Sequence, residues 1–307
     1  MANKNRFLMP GYLWNTVKIK LLANWKKLTR GSSPFLFFKD SIEDKWDGKY
    51  ELNYLEEYHS LSYFDFEEAM LFHKKNKSVT VDLILALVYH NSRVSQEAKV
   101  ELLGMAEDIL KQATDKEDVI SFIIDESYER FGLSGQYLSA IVQGKAASLF
   151  IRCYQKTEDS LWLDLARKSL NHFNLTVKEG GIKRLLPSNL EWMEEYPSEK
   201  PSMVLNGFLF WLIALCEYCA VSKDETYQII LEKHLRSAFN WLPSYKLKNG
   251  LLYSMYRWNH CNVHYMAIMK FQFEHLYQLT GIAVFDEYAS HCDDNTNWKV
   301  FKKMMGT

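Results

Sequence analysis

An apolar run in the second half of the chain limits most strongly what this protein can fold into. It begins at Met203 and contains no charged residue before Glu217. Its apolar residues are continuous, without the polar face of an amphipathic helix, so residues 208–218 are predicted to form a helix that is buried on all sides. A helix of this kind needs a large helical core around it. Neither this run nor any other segment is predicted to span a membrane.

The same arrangement recurs at roughly equal intervals of about 60 residues, with apolar helices that open near residues 80, 143, 206 and 264. Each apolar helix is followed by an amphipathic one, and the four amphipathic helices are predicted at 97–112, 162–173, 227–241 and 284–292. Buried first helices that alternate with amphipathic second helices are typical of a ring of helical hairpins. The sequence therefore predicts a mainly α protein, an incomplete (α/α) toroid over residues 79–307.

Two shorter regions precede this predicted toroid. Residues 1–30 lack a secretory signal, which favours a cytoplasmic location. Within them, residues 10–30 carry five basic and no acidic residues among many apolar ones. This segment is interpreted either as a basic amphipathic helix at the cytoplasmic face of a membrane or as a helix that packs on the domain or a partner subunit. Residues 31–78 are expected to be irregular, with short strands.

Composition narrows the possible functions. The net charge of −1 gives no electrostatic basis for binding nucleic acid, and an acidic polysaccharide would need a local basic patch. Aromatic residues make up 15% of the chain, which suits either a sugar-binding cleft or a large helical core. The five cysteines have no regular spacing and no histidine cluster beside them, so we expect reduced thiols and no metal site.

An acidic loop leads into the apolar helix. Glu194, Glu195 and Tyr196 are adjacent, and Pro197 and Pro201 prevent a helix from continuing through them. In a toroid the loops that enter the inner helices gather at one end. We therefore expect this loop and Asn206, from the same unit, to meet polar residues from two other units. These are Tyr253, Tyr256, Arg257, Trp258, Asn259, His260 and His264 from one, and Gln143 from the other.

The motifs Glu-Glu-Tyr-Pro at 194–197 and Val-Leu-Asn-Gly-Phe at 204–208 resemble the C-terminal catalytic region of the D-glucuronyl C5-epimerase family. The resemblance covers roughly residues 130–290. It implies a cofactor-independent isomerase that converts D-glucuronate to L-iduronate in a polysaccharide or its precursor. A base removes the C5 proton, a cation or hydrogen-bond donors stabilise the enediolate, and an acid returns a proton.

The resemblance also implies roles for individual residues. It assigns catalysis to Glu195 and Tyr196, and it matches Tyr253 to a further catalytic tyrosine. Arg257, Trp258 and His264 agree with a later motif of the family, and His260 stands at its catalytic tyrosine position. Arg257 is the predicted partner of the substrate carboxylate, since it carries a fixed positive charge. The predicted substrate-binding set is Glu194, Asn206, Arg257, Trp258, His264 and Gln143.

The histidine at position 260 leaves alternatives open. Histidine can move a proton at neutral pH, so the epimerase activity can persist. The exchange is equally compatible with a polysaccharide lyase or uronide hydrolase on the same fold, or with a glycan-binding protein that has lost activity. The family commonly forms dimers, so a homodimer that completes the cleft is also expected.

Overall fold

Four consecutive helical hairpins build the part of the chain that the computed structural model describes, which comprises residues 44, 46–55, 74, 78–92, 96–256 and 259–296. The first helices of the four hairpins pack side by side in chain order, and each second helix packs on its own first helix. The helices are α1 (Val79–Ser92), α2 (Gln96–Leu110), α3 (Ala140–Thr157), α4 (Ser160–Leu170), α5 (Leu205–Ser222), α6 (Glu225–Tyr245), α7 (Val263–Thr280) and α8 (Ala283–Asn295).

This arrangement confirms the predicted incomplete (α/α) toroid. The first helices begin within three residues of the positions expected from the sequence, and all four predicted second helices are present. The predicted segment 1–30 lies outside the described residues, as does most of the region 31–78. The described residues 46–55 have no regular secondary structure.

Helix α5 is the centre of the core. Every residue from Leu205 to Ala220 is buried, although the helix is long and apolar enough to cross a membrane by length and composition alone. Its closest neighbour is α3, where a side chain at Gly144 would come within 2.9 Å of the Phe210 carbonyl oxygen. Glycine at this position lets the two helices approach closely. The apolar run is therefore a core helix of the toroid.

The connections into the first helices carry short antiparallel hairpins. Strands β1 to β4 precede α3, the pair β5–β6 precedes α5, and the sheet β7–β8–β9 precedes α7. Their bounds are β1 (Thr114–Lys116), β2 (Val119–Ser121), β3 (Ile124–Asp125), β4 (Gln136–Tyr137), β5 (Lys183–Leu186), β6 (Leu190–Met193), β7 (Lys246–Leu247), β8 (Gly250–Ser254) and β9 (Asn259–His260). All of these hairpins lie next to the N-terminal ends of inner helices.

A buried ionic network joins three inner helices nearer their other end. Glu217 on α5 forms two hydrogen bonds of 3.1 Å with the guanidinium of Arg152 on α3. It also accepts a hydrogen bond of 2.6 Å from the Ser148 hydroxyl, and His275 Nε2 on α7 lies 3.0 Å from it. Because Glu217 is paired on all sides, its pKa falls to about 2 although burial alone would raise it. The network locks α3, α5 and α7 together.

Candidate active site

The acidic loop between β6 and α5 is fixed by the carboxylate of Glu194. Its Oε1 accepts hydrogen bonds from Arg184 Nε at 2.5 Å and from the backbone nitrogen of Ser202 at 3.1 Å. Its Oε2 accepts from the Ser202 hydroxyl and from the backbone nitrogen of Met203 at 2.8 Å. Since protein donors occupy both oxygens, the structure assigns Glu194 to holding the loop, in place of the substrate-binding role predicted from the sequence.

Pairing between the loop and β8 brings the two predicted halves of the site together. Val204 forms a β-bridge with Ser254, and the backbone nitrogens of Met255 and Tyr256 donate to the carbonyls of Met203 and Ser202 at 3.3 Å. This short ladder sets Tyr253, the residue before the bridge, beside the head of α5. The convergence expected from the sequence is therefore present for the tyrosine-bearing strand.

Glu195 lies against the first turn of α5 with 5% of its surface exposed. Its Oε1 accepts a hydrogen bond of 3.3 Å from the Tyr253 hydroxyl, and its Oε2 has no partner among the described residues. A side chain at position 207 would come within 2.5 Å of the Glu195 Cβ and 2.6 Å of Oε2. Glycine at 207 therefore makes room for this carboxylate, which explains the glycine of the Val-Leu-Asn-Gly-Phe motif.

Burial raises the pKa of Glu195 from 4.5 to about 7. The hydroxyls of Tyr196 and Tyr253 and the ammonium of Lys145 lower this pKa, and the neighbouring Glu194 adds to the increase. A carboxyl group with a pKa near neutrality is present in both protonation states around pH 7. That property suits a group that takes up and returns a proton.

Several tyrosines surround Glu195. The rings of Tyr253 and Tyr265 lie 4.4 Å apart between centroids, and Tyr196 lies 4.8 Å from Tyr128. Burial, followed by the charge of Glu195, raises the pKa of Tyr196, Tyr253 and Tyr265. These phenols therefore stay protonated at neutral pH and can act as proton donors. Glu195, Tyr196, Tyr253 and Tyr265 are called the carboxylate–tyrosine cluster below.

A short loop between β3 and β4 covers this cluster. Phe131 stacks on Tyr196 with centroids 4.4 Å apart and an angle of 11° between the rings, and it also contacts Tyr128 and Tyr256. Most other residues of the loop are exposed, and Gly132 adopts the positive φ of 72° that its turn requires. An aromatic side chain thus occupies one face of Tyr196 in this structure.

Two further predicted substrate-binding residues lie on the helices that frame the cluster. Asn206 is buried in the first turn of α5, and its Oδ1 has no partner among the described residues. The amide of Gln143 instead pairs with the backbone of Phe122, donating to its oxygen at 2.7 Å and accepting from its nitrogen at 3.3 Å. Gln143 is therefore used to hold a connecting segment, which corrects the predicted substrate contact.

The structure describes only part of the motif at residues 257–264. His260 lies on β9 opposite Leu252 and is exposed, outside the buried cluster, and its catalytic role stays a prediction. His264, near the start of α7, is half-buried with its ring perpendicular to that of Tyr265, and burial lowers its pKa. Arg257 and Trp258 lie outside the described residues.

Sequence reasoning missed two residues of the site. Tyr265 follows His264 directly, and it places a phenol beside Tyr253 where the sequence pattern pointed to His260. Lys145 is buried on α3, with its Nζ 4.4 Å from the centroid of the Phe210 ring. The available signal was a lysine in the first half of a helix predicted to be an inner one, because lysine is seldom fully buried unless it is paired.

The four hairpins and the carboxylate–tyrosine cluster define an α/α-toroid protein with a candidate proton-transfer site. Residues 116–294 match the family described as D-glucuronyl C5-epimerase C-terminus, and the chain belongs to this family. The matched residues include every member of the cluster. The family predicted from the two sequence motifs is thereby confirmed.

Individual relatives cover different parts of the chain. A protein of Methanocaldococcus jannaschii is 26% identical over 198 residues, which are 61% of this chain and 64% of that protein. The D-glucuronyl C5-epimerase of Caenorhabditis elegans is 31% identical over 129 residues, which are 38% of this chain but 21% of that enzyme. The matched regions are thus less than two thirds of either relative.

A solved structure extends the comparison to the fold. Cellobiose 2-epimerase from Bacillus thermoamylovorans aligns with a TM-score of 0.51 and 11% sequence identity, over 71% of this chain and 59% of that structure. At this level of identity the similarity concerns the fold alone. It supports the toroid architecture described above.

Proposed function

We propose that this protein is a uronate C5-epimerase, which converts D-glucuronate to L-iduronate in an acidic polysaccharide or its precursor. One observation carries the proposal: Glu195 is a buried carboxylate with one oxygen held by Tyr253, the other without a protein partner, and a pKa near 7. Family membership and the relative from Caenorhabditis elegans support this reaction class.

The proposed reaction assigns proton transfer to the carboxylate–tyrosine cluster. Glu195 Oε2 takes the C5 proton, and the electron pair of the broken C–H bond passes into the substrate carboxylate to form an enediolate. A protonated tyrosine, Tyr196 or Tyr265, then gives its proton to the opposite face of C5. The charge of the enediolate requires a nearby cation or hydrogen-bond donors, for which Arg257 remains the residue predicted from the sequence.

The hydrogen bond between Tyr253 and Glu195 offers a path by which the cluster can return to its starting protonation state after each turnover. After one turnover Glu195 carries an additional proton and the donor tyrosine has lost one. The hydroxyl of Tyr253 contacts both the carboxylate and the neighbouring phenols, so it can relay the proton back between them. No other reactant is then needed to balance the protons.

Hydrogen exchange at C5 tests the proposal directly. The protein, equilibrated in heavy water, is incubated with a glucuronate-containing oligosaccharide, and deuterium at C5 and the iduronate content are followed by NMR. We expect exchange with formation of iduronate, and a 10²- to 10⁴-fold loss for Glu195→Gln. Glu191→Gln is the matched control, since Glu191 lies near His234 and outside the cluster.

Two other outcomes would replace the proposal. A new absorbance from an unsaturated uronate would indicate a lyase, which shares the proton abstraction but eliminates the leaving group from C4. Binding of the oligosaccharide with neither exchange nor cleavage, unchanged by Glu195→Gln, would indicate a glycan-binding protein.

A further inference from the structure

Lys145 and Glu195 approach α5 near the same turn. Glu195 packs on Gly207, and the Nζ of Lys145 lies over the ring of Phe210, three residues further along the helix. Lys145 is almost fully buried, with 4% of its surface exposed. An ammonium group is therefore enclosed beside the carboxylate–tyrosine cluster.

This ammonium has no matching anion in direct contact. Among the described residues no carboxylate forms a salt bridge with Lys145, and the charge of Glu195 acts on it only from a greater distance. The cation–π contact with Phe210 is weaker than the loss of hydration that burial imposes on an ammonium, so the ring does not offset the burial. Burial accordingly lowers the pKa of Lys145 to about 7.

Two acceptors near the head of α5 are also unpartnered. Glu195 Oε2 and Asn206 Oδ1 are both buried without a hydrogen-bond partner among the described residues. A sugar ring that carries a carboxylate supplies what these groups lack, namely an anion for Lys145 and hydroxyl donors for Asn206. A neutral sugar would leave the ammonium without a counter-charge.

We propose that Lys145 is a specificity-determining residue, whose enclosed ammonium selects a sugar ring bearing a carboxylate over the corresponding neutral sugar. The inference rests on the proposed function, because it places the C6 carboxylate beside the carbon whose proton Glu195 removes. It adds a second cation to the predicted Arg257 and assigns charge selectivity to helix α3.

Binding of two matched probes tests the inference. One is a glucuronate-containing oligosaccharide, and the other is its carboxyl-reduced counterpart, in which each glucuronate is converted to glucose. The affinities of both are measured by calorimetry for the wild type, Lys145→Met and Lys145→Arg. We expect the wild type to prefer the acidic probe about 10- to 100-fold, Lys145→Met to lose most of this preference, and Lys145→Arg to keep part of it.

Control variants separate charge from folding. Lys270→Met is the matched control, since Lys270 also lies on an inner helix but pairs with Glu274 at 2.6 Å, and it should keep the wild-type preference. Lys145→Gln replaces Lys145→Met if the latter does not fold. An unchanged preference in the folded Lys145 variants would overturn the inference, as would a preference that is lost only in Arg257→Ala.

The two proposals fail in different ways. A preference for the acidic probe that depends on Lys145, without hydrogen exchange at C5, would support the selectivity and contradict the epimerase. Exchange at C5 with a preference that does not depend on Lys145 would support the epimerase and contradict the selectivity.

Discussion

The two ends of helix α5 hold buried carboxylates in opposite chemical states. Near the C-terminal end, Glu217 is hydrogen-bonded by Arg152, Ser148 and His275, and its pKa is about 2. Next to the N-terminal end, Glu195 interacts with the hydroxyls of Tyr196 and Tyr253 and forms no salt bridge among the described residues, and burial raises its pKa to about 7. Both lie in the same apolar core, so burial alone does not distinguish them. The number of donors and the distance of the nearest cation decide which carboxylate stays ionised.

The loop shows the same contrast between two adjacent residues. Both oxygens of Glu194 accept hydrogen bonds that fix the chain, whereas Oε2 of Glu195 has no hydrogen-bond partner in the part of the chain that the structure describes. A core that can satisfy one carboxylate with four donors is able to satisfy another. The unsatisfied group at Glu195 is therefore the one that is available for chemistry.

The largest expected effect is on the free energy of unfolding when the ion pair near the C-terminal end of α5 is broken. Glu217→Gln removes the carboxylate that pairs with the buried guanidinium of Arg152, so we expect the free energy of unfolding to fall by about 3–5 kcal/mol. Glu195→Gln should raise it by up to about 3 kcal/mol at pH 7.5, because it removes a carboxylate whose ionisation burial disfavours. Urea denaturation of both variants at pH 7.5 measures the difference. Equal losses would show that the two carboxylates are equivalent structural groups.

The two carboxylates should also respond to pH in opposite directions. The folded-state pKa of Glu195 is raised, so its contribution to stability is present below pH 4.5 and is lost as the pH rises toward 7. The pKa of Glu217 is lowered, so its contribution is present above pH 4.5 and is lost as the pH falls toward 2. Each change is at most about 3 kcal/mol.

Unfolding free energies of the wild type and Glu195→Gln, measured from pH 4.5 to 8, check the first of these changes. The variant should gain stability relative to the wild type as the pH rises. A difference that stays constant over this range would mean that Glu195 titrates normally in the folded protein.

A smaller effect is expected when a methyl group is added at the N-terminal end of α5. A methyl group in Gly207→Ala would lie 2.5 Å from the Glu195 Cβ, so either the loop or the helix must shift. We expect a loss of about 1–3 kcal/mol in stability and a drop in C5 exchange of at least about tenfold. Gly104→Ala on α2 is the control, because nothing lies within 4 Å of its new methyl group. Full exchange in Gly207→Ala would mean that the position of Glu195 is not critical.

The sequence predicted the fold better than the site. The apolar run and the repeat determined the hairpins, because a helix without a polar face has to be buried whatever its neighbours are. The roles of Glu194 and Gln143 could not be predicted, since they depend on hydrogen-bond partners that sequence spacing does not reveal, namely the Arg184 side chain and the backbone of Phe122. Lys145 was missed for a related reason, because its enclosure depends on how closely α3 approaches α5.

The exposed residue His260 shows that a position in a sequence motif does not by itself determine where the side chain lies. Position 260 corresponds to a catalytic tyrosine by sequence pattern, but the register of β9 against β8 determines where its side chain points. Tyr265, five residues later and on α7, lies beside Tyr253. Strand register and helix entry are set by tertiary contacts, which the spacing of a short motif does not contain.

The smallest expected effect concerns Phe131, which covers one face of Tyr196 in the carboxylate–tyrosine cluster. Phe131 stacks on Tyr196, and a sugar ring that binds this face has to displace it. Phe131→Ala should tighten oligosaccharide binding by about 0.5–1.5 kcal/mol, because the ring contact no longer has to be broken. Calorimetry measures the affinity, and Ile123→Ala, an exposed residue just before β3, is the control. Weaker binding would mean instead that Phe131 itself contacts the sugar, and that the cover is part of the binding site.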